Sequence, residues 1–274
     1  MKIINLIENT PGIQNCGYEH GLSFYIETKN HRLLVDSGAT DLFLWNAKTL
    51  GIDLTKVDTM ILSHGHYDHG GGIPAFLRIN PDALIYMKDS CQEDYYHLKP
   101  DGAKYIGIDK SILKQKQCIQ VCGDLEIDDE LFLFTDVPSR RYPAKGNLVL
   151  KKKESGEYIQ DIFCHEQFLV ITQGTQRILL SGCAHSGILN ILDRYTEIFH
   201  SEPDMVISGF HMMQDEPYSQ EEVENIRQIA HCLSKMDTIF YTGHCTGKAA
   251  FDIMKEIIGD QLRLLHSGQT ILDV

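Results

Sequence analysis

The sequence predicts an α/β fold in which sheet strands are covered by helices. Two observations carry this. The C-terminal part alternates apolar strand-like runs with amphipathic helix-like runs, a pattern that buries a sheet against helices. The N-terminal part reads as short apolar strands joined by turn residues. The chain has 274 residues, 43% apolar and 23% charged. That is ordinary for a globular protein and long enough for a sizeable core.

The elements follow in order. MKIINLIEN opens with a β-strand, which Pro11 and Gly12 end. GLSFYIET (21–28) and HRLLVDSG (31–38) form a hairpin with Lys29 and Asn30 at its turn. TDLFLWNAKTLG (40–51) is a helix, capped by Thr40 or Asp41 and ended by Gly51. VDTMILS (57–63) is a buried strand, and GGIPAFLRI starts the next helix. Residues 90–145, with DYYHL, CIQVC and RRYP, are irregular and read as an elaboration of the core placed to act as a lid. Lys151, Lys152 and Lys153 read as a solvated turn beside a strand. Then RILLSGCAH, DMVISGFH and DTIFYTGHC are strands, followed by the helices GILNILDRYTEIF, SQEEVENIRQIAHCLSKM and TGKAAFDIMKEIIG; LRLLHSG is the last strand. Ser219 and Glu222 make a capping box for the middle helix, whose Val223, Ile226, Ala230 and Leu233 share one face. The reading is of a single domain, 1–274, with the elaboration at about 90–145.

Bulk properties narrow the function. A net charge of −13 opposes a nucleic-acid backbone as partner. No apolar run reaches the ~20 residues of a membrane span, and the first residues lack the pattern of a secretory signal. Eight cysteines without a CxxC pair read as free thiols rather than a disulfide framework. These readings place the chain in the cytoplasm. A G-x-S-x-G elbow and a G-x-x-x-x-G-K-[ST] loop are both absent from the sequence.

ILSHGHYDHGGGIP (61–74) carries the chemistry. Three histidines and an aspartate fall within residues 64–69. In an extended segment His64 and His66, two apart, face one side and reach one cation. Asp68 and His69 follow in the turn toward the helix and point elsewhere, which suits two adjacent ions rather than one. Imidazole and carboxylate donors fit zinc, iron or manganese, and a dinuclear site supplies an activated hydroxide and charge stabilisation. Glycines 70–72 let the backbone pack behind the ligands and leave space for a substrate. Strand ends elsewhere also carry histidines: His185, His211, His244 and His266. Ligands in such folds collect at strand C-terminal ends.

SHGHYDHGGG resembles the signature of the metallo-β-lactamase superfamily. LLVDSG (33–38), SGCAHSG and TGHCTG resemble its other site-bearing strand ends. The resemblance implies an αββα sandwich: two facing sheets with helices outside. EHGLSFYIE, SHGHYDHGGG, SGCAHSGILNI, SGFH and TGHCTG together resemble the subfamily that includes 7,8-dihydropterin-6-methyl-4-(β-D-ribofuranosyl)aminobenzene 5'-phosphate synthase, many members of which are described as metal-dependent hydrolases. The resemblance implies two divalent ions, zinc first, with manganese, iron or magnesium as alternatives. His64, His66 and His185 would hold one ion. Asp68, His69 and His244 would hold the other, and Asp68 and His211 would act in catalysis. His20, Asp36, Glu166 and His266 would line the site or support its ligands, and His165 in FCHEQ is a further candidate.

One position departs from the family pattern. Where a bridging aspartate is usual, this chain reads Gly182-Cys183, so Cys183 is either a thiolate ligand or a small buried residue. The implied function is a metal-dependent hydrolase of a small anionic ester, phosphoester or diphosphate through a metal-activated hydroxide. The alternatives are a transferase joining a dihydropterin methyl diphosphate to a ribofuranosyl-aminobenzene phosphate, or a non-catalytic ligand-binding member of the fold. An ordered lid would favour transfer and an open groove hydrolysis. The expected partner is a small anionic molecule, with neither nucleic acid nor membrane, and the exposed helices are compatible with a homodimer.

Overall fold

In the computed structural model, residues 1–138 and 141–273 are described. Ser139 and Arg140, which fall in the expected elaboration, and Val274 lie outside them. In chain order the elements are β1 (Lys2–Ile7), β2 (Ser23–Glu27), β3 (Arg32–Val35), α1 (Leu42–Thr49), β4 (Thr59–Ile61), α2 (Tyr67–Gly70), α3 (Ile73–Ile79), β5 (Leu84–Lys88), β6 (Asp94–Lys99) and β7 (Gly102–Tyr105). Next come β8 (Cys118–Val121), β9 (Leu125–Glu126), β10 (Leu131–Thr135), β11 (Leu150–Glu154), β12 (Glu157–Gln160), β13 (Gln167–Gln173), β14 (Gln176–Leu180) and α4 (Ile188–Phe199). The chain ends with β15 (Met205–Ile207), α5 (Gln220–Leu233), β16 (Ile239–Thr242), α6 (Lys248–Ile258), β17 (Leu262–Leu264) and β18 (Thr270–Asp273).

Alternation along the strands builds the layers. In β3, Leu33 and Val35 face a core shared with Leu169, Ile171, Leu180 and Ile207 of the other sheet. Leu34, between them, points outward onto Phe43 and Phe76 of α1 and α3. Likewise Leu180 faces the inter-sheet core, while Leu179 packs outward with residues of α4, α5 and α6. Period-two side chains thus give three apolar layers, which is the αββα sandwich. The sheet orders are β18-β1-β2-β3-β4-β5-β8 and β17-β16-β15-β14-β13-β10-β9.

The hairpin of β2 and β3 forms as expected. The α5 capping box is present, with Glu222 N donating to Ser219 Oγ (3.2 Å) and Ser219 N donating to Glu222 Oε2 (2.8 Å). At α1 the cap position is Asp41 without a side-chain bond; Thr40 Oγ1 instead accepts from Leu42 N at 3.1 Å.

Three expectations are corrected. The Lys151–Lys153 run is strand β11, paired with β12 and β6, not a turn. Its lysines are half-buried on that sheet, and Lys152 pairs with Glu93 and Glu154. LRLLHSG is not the last strand: β18 follows and pairs antiparallel with β1, which covers an edge that would otherwise be open. The 90–145 segment divides. β6 and β7 join β11 and β12 in a separate four-stranded sheet, whereas β8, β9 and β10 complete the two main sheets.

Candidate metal centre

The site forms where strands of both sheets end. β3, β4, β5 and β8 are parallel neighbours, as are β14, β15, β16 and β17. Parallel strands deliver their C-terminal ends to one rim. The segment after β4 brings His64 and His66, that after β14 brings Cys183 and His185, and the ends of β15 and β16 bring His211 and His244.

His64, His66 and His185 converge. Their ring centroids lie 4.7, 5.0 and 4.9 Å apart pairwise, and all three are buried. Each presents a buried Nε2 without a hydrogen-bond partner. Buried nitrogens without partners are costly. The other nitrogen of two rings is occupied: His64 Nδ1 lies 3.0 Å from Ser63 Oγ and His185 Nδ1 3.0 Å from Asn147 Oδ1. The amide oxygen can only accept, so His185 carries its proton on Nδ1 and leaves the Nε2 lone pair free. Burial and the neighbouring imidazoles keep the rings neutral, with His64 and His185 well below the usual histidine range and His66 pushed down to about 3. Neutral imidazoles with free nitrogens suit a divalent ion. The donor atoms of His64 and His185 lie within 4.8 Å of each other and of Cys183, while His66 groups with Asp161 and His165.

A second donor set adjoins the first. Asp68 Oδ2 lies 3.3 Å from His244 Nε2, and His69 Nε2 lies 3.3 Å from His244 Nε2 and 3.2 Å from Cys183 Sγ. The Nδ1 atoms of both rings face acceptors, Asp36 Oδ2 at 2.6 Å for His69 and Asn9 Oδ1 at 2.7 Å for His244. In neutral rings both Nε2 lone pairs would therefore point at one another and at a carboxylate, which only a positive charge relieves. The titration directions agree. Burial would lower His69, but Asp36 and Asp68 outweigh it and raise it. Burial would raise Asp68, but His69, His20 and His244 hold it well below the carboxylate range. Cys183 lies within 4.8 Å of donor atoms in both sets, and burial pushes its thiol up.

The remaining expected residues separate by position. Asp36, at φ +57, accepts from Ser63 N and Ser63 Oγ at 2.7 Å each and faces His69, tying β3 to the ligand loop. His20 Nε2 is 3.3 Å from Asp68 Oδ2. Glu166 accepts from His185 N, Ser186 N and Ser186 Oγ at 2.7, 2.9 and 2.6 Å, so it fixes the loop behind His185 and lies outside the donor groups. His165 has both ring nitrogens engaged, accepting from Gly65 N at 3.0 Å and facing Asp161 Oδ2 at 3.1 Å. It holds the backbone between His64 and His66 and has no lone pair left to give. His211 stands 4.1 Å from the His185 ring, at φ +49, with both ring nitrogens unpartnered. His266 is not brought in: its Nδ1 meets Thr10 Oγ1 at 3.0 Å, because β17 lies at the sheet edge beyond β16. Glycines 70–72 pack tightly, as expected, but leave no space for a substrate. A Cβ at Gly71 would lie 2.2 Å from Ala39 O and one at Gly72 2.4 Å from Ser37 O.

Sequence reasoning missed Asn9, Asn147 and Asp161, which orient His244, His185 and His165. None lies in a histidine motif. An asparagine in a loop carries no signal of its partner until the chain is folded.

Comparison with known proteins agrees with the geometry. The model of the metallo-β-lactamase superfamily matches residues 17–217. The chain is 26% identical to 7,8-dihydropterin-6-methyl-4-(β-D-ribofuranosyl)-aminobenzene-5'-phosphate synthase of Methanocaldococcus jannaschii, over 99% of this chain and 96% of that protein. A crystal structure described as a metal-dependent hydrolase of the β-lactamase superfamily superposes with a TM-score of 0.84 at 29% identity, covering 100% of this chain and 99% of the other. The metallo-β-lactamase fold protein YhfI of Bacillus subtilis superposes with a TM-score of 0.58 at 14% identity, over 98% of this chain and 97% of that one, a likeness of fold. Members of this superfamily generally bind divalent metals. With its family match over most of its length, its sandwich and its rim of histidines, the chain belongs to the metallo-β-lactamase superfamily and is an enzyme.

Proposed function

We propose that this enzyme is a metal-dependent hydrolase of a small anionic ester, phosphoester or diphosphate, working at a dinuclear centre. The observation that carries the reading is the set of three buried Nε2 atoms of His64, His66 and His185 without partners. These would hold one ion, and Asp68, His69 and His244 the other. Cys183, within reach of donors in both sets, would serve as a thiolate ligand once an ion deprotonates it. Imidazole with thiolate favours zinc or iron over magnesium or manganese. The ions, when bound, would polarise the scissile group and acidify water. The chain's own residues do the rest. Asp68, held ionised chiefly by His69 and facing His20 Nε2 at 3.3 Å, would offer its carboxylate to the ion. His211, with both nitrogens unpartnered beside His185, is placed to hold a proton for the leaving group.

A transferase of the pterin type is the second reading. The likeness to the synthase over 99% of the chain favours it. So does the four-stranded sheet, whose β7 leads to Gly107 and its bridge to His66, because a transferase must keep water from the reacting centre.

The test is metal content per chain, on protein purified without chelator. About two ions in the wild type and about one in Asp68→Ala are expected. Hydrolysis of bis(p-nitrophenyl) phosphate should be lost with chelator and restored by zinc. One ion in both proteins would remove Asp68, His69 and His244 from the ligand set. Diphosphate release that needs a second substrate would replace hydrolysis with transfer.

A further inference from the structure

A cavity of ≈ 440 Å³ lies between α4, α5 and residues 141–148. It meets the donor set at Ala184, between Cys183 and His185 in the chain, and at His211. A Cβ at Gly146 would come 3.3 Å from His211 Nε2, so glycine keeps the approach to that ring clear. The volume falls in the range of small-molecule sites, and an anionic group at the metal donors would leave it unfilled. Something larger than a phosphate or carboxylate therefore suits it.

Its lining says what. Ile188, Ile226, Ile229, Phe210, Tyr142 and Tyr218 give apolar and aromatic walls. The lining cations among the described residues are Arg141 and Lys145, and each already has a carboxylate. Arg141 Nη2 is 2.5 Å from Asp193 Oδ2, and Lys145 Nζ is 3.3 Å from Glu222 Oε1. Glu221 adds a further negative charge to the lining. A second anionic group would find no unmatched cation among the described lining residues, whereas a flat, uncharged ring would find apolar walls. His211, its ring nitrogens unpartnered, stands at the join, where the bond to be cleaved would lie.

We infer that this cavity binds an uncharged, ring-containing body of the substrate, whose anionic group sits at the metal donors. The ester class is thus one of aryl or heterocyclic compounds carrying a single anionic end, rather than compounds with anionic groups at both ends. This rests on the hydrolase reading for its anionic half, while the cavity half stands by itself.

Calorimetry separates the two. Zinc-loaded protein is titrated with 1-naphthylphosphonate and with methylphosphonate, and metal-free protein with 1-naphthol. The naphthyl phosphonate should bind at least about tenfold more tightly than the methyl compound, the discrimination an apolar pocket gives for added apolar groups. Naphthol should bind without metal. Ile226→Trp, which fills the cavity, should abolish both effects. Leu148→Ser, at a lining position 63% exposed and so safe for folding, should weaken them severalfold. Equal affinities for the two phosphonates, no binding of naphthol, or a preference untouched by either variant would overturn the cavity assignment. Failure of methylphosphonate to bind while naphthol binds would overturn the anionic half and the metal reading together, leaving the ring site in place.

Discussion

His185 shows how a ligand is made from two hydrogen bonds. Asn147 Nδ2 donates to its carbonyl at 2.8 Å and Asn147 Oδ1 faces its Nδ1 at 3.0 Å, which sets both the loop and the tautomer. Asn147→Ala should therefore weaken metal binding by about 10–100-fold, measured by competition with a chromogenic chelator; an unchanged affinity would reduce Asn147 to loop packing. The depressed histidines also predict a pH effect on the metal-free fold. His64, His66 and His185 are neutral when folded and titrate near 6.5 when unfolded. Below about 6.5 the unfolded chain binds more protons, so stability falls as pH falls, from 6.5 toward the folded value, about 3 for His66. Each such histidine contributes up to about 1.4 kcal/mol per pH unit in that window. His69 is raised instead, so its contribution is fully present below 6.5 and lost at higher pH; it adds no opposing slope in the acid range. Urea midpoints of the metal-free protein should drop between pH 7 and pH 5. A flat profile would mean these rings are not buried neutral.

At the scale of elements, local sequence explains where α5 starts and tertiary pairing explains where the first sheet ends. The Ser219 box satisfies free N–H groups at the α5 terminus, and Ser219→Ala should lower stability by about 1 kcal/mol, read as a lower melting temperature. β18 covers the edge of β1 through Lys2, Ile3 and Ile4. Deleting residues 270–274 should leave β1 as an open edge beside buried apolar strands, seen as aggregation by light scattering during heating. A monodisperse truncated protein would show that β18 is dispensable.

For the molecule as a whole, the donor sets come from both sheets: His64, His66, Asp68 and His69 from the first, Cys183, His185 and His244 from the second. Ions held there would bind only the assembled sandwich. Metal should accordingly raise stability by mass action, about 4 kcal/mol at a thousandfold excess over the dissociation constant. Chelator should lower the melting temperature, and zinc should restore it. An unchanged melting curve would mean that the two halves of the site do not share a ligand.

The sequence by itself determined the layered α/β class, most strands and helices, and the cluster at residues 64–69. Those are local signals, carried by period-two and helical spacing and by residues adjacent in the chain. Only the tertiary structure decided which distant residues join that cluster. His266 and His244 are alike in sequence, each at the end of a late strand. β16 lies beside β15 and brings His244 to Asp68, while β17 lies one strand further out and leaves His266 against Thr10. Asn9 and Asn147 were equally invisible, because their hydrogen bonds to His244 and His185 join segments distant in the chain and depend on their approach in space. Asp161 meets His165 four residues on, in an irregular segment without periodicity.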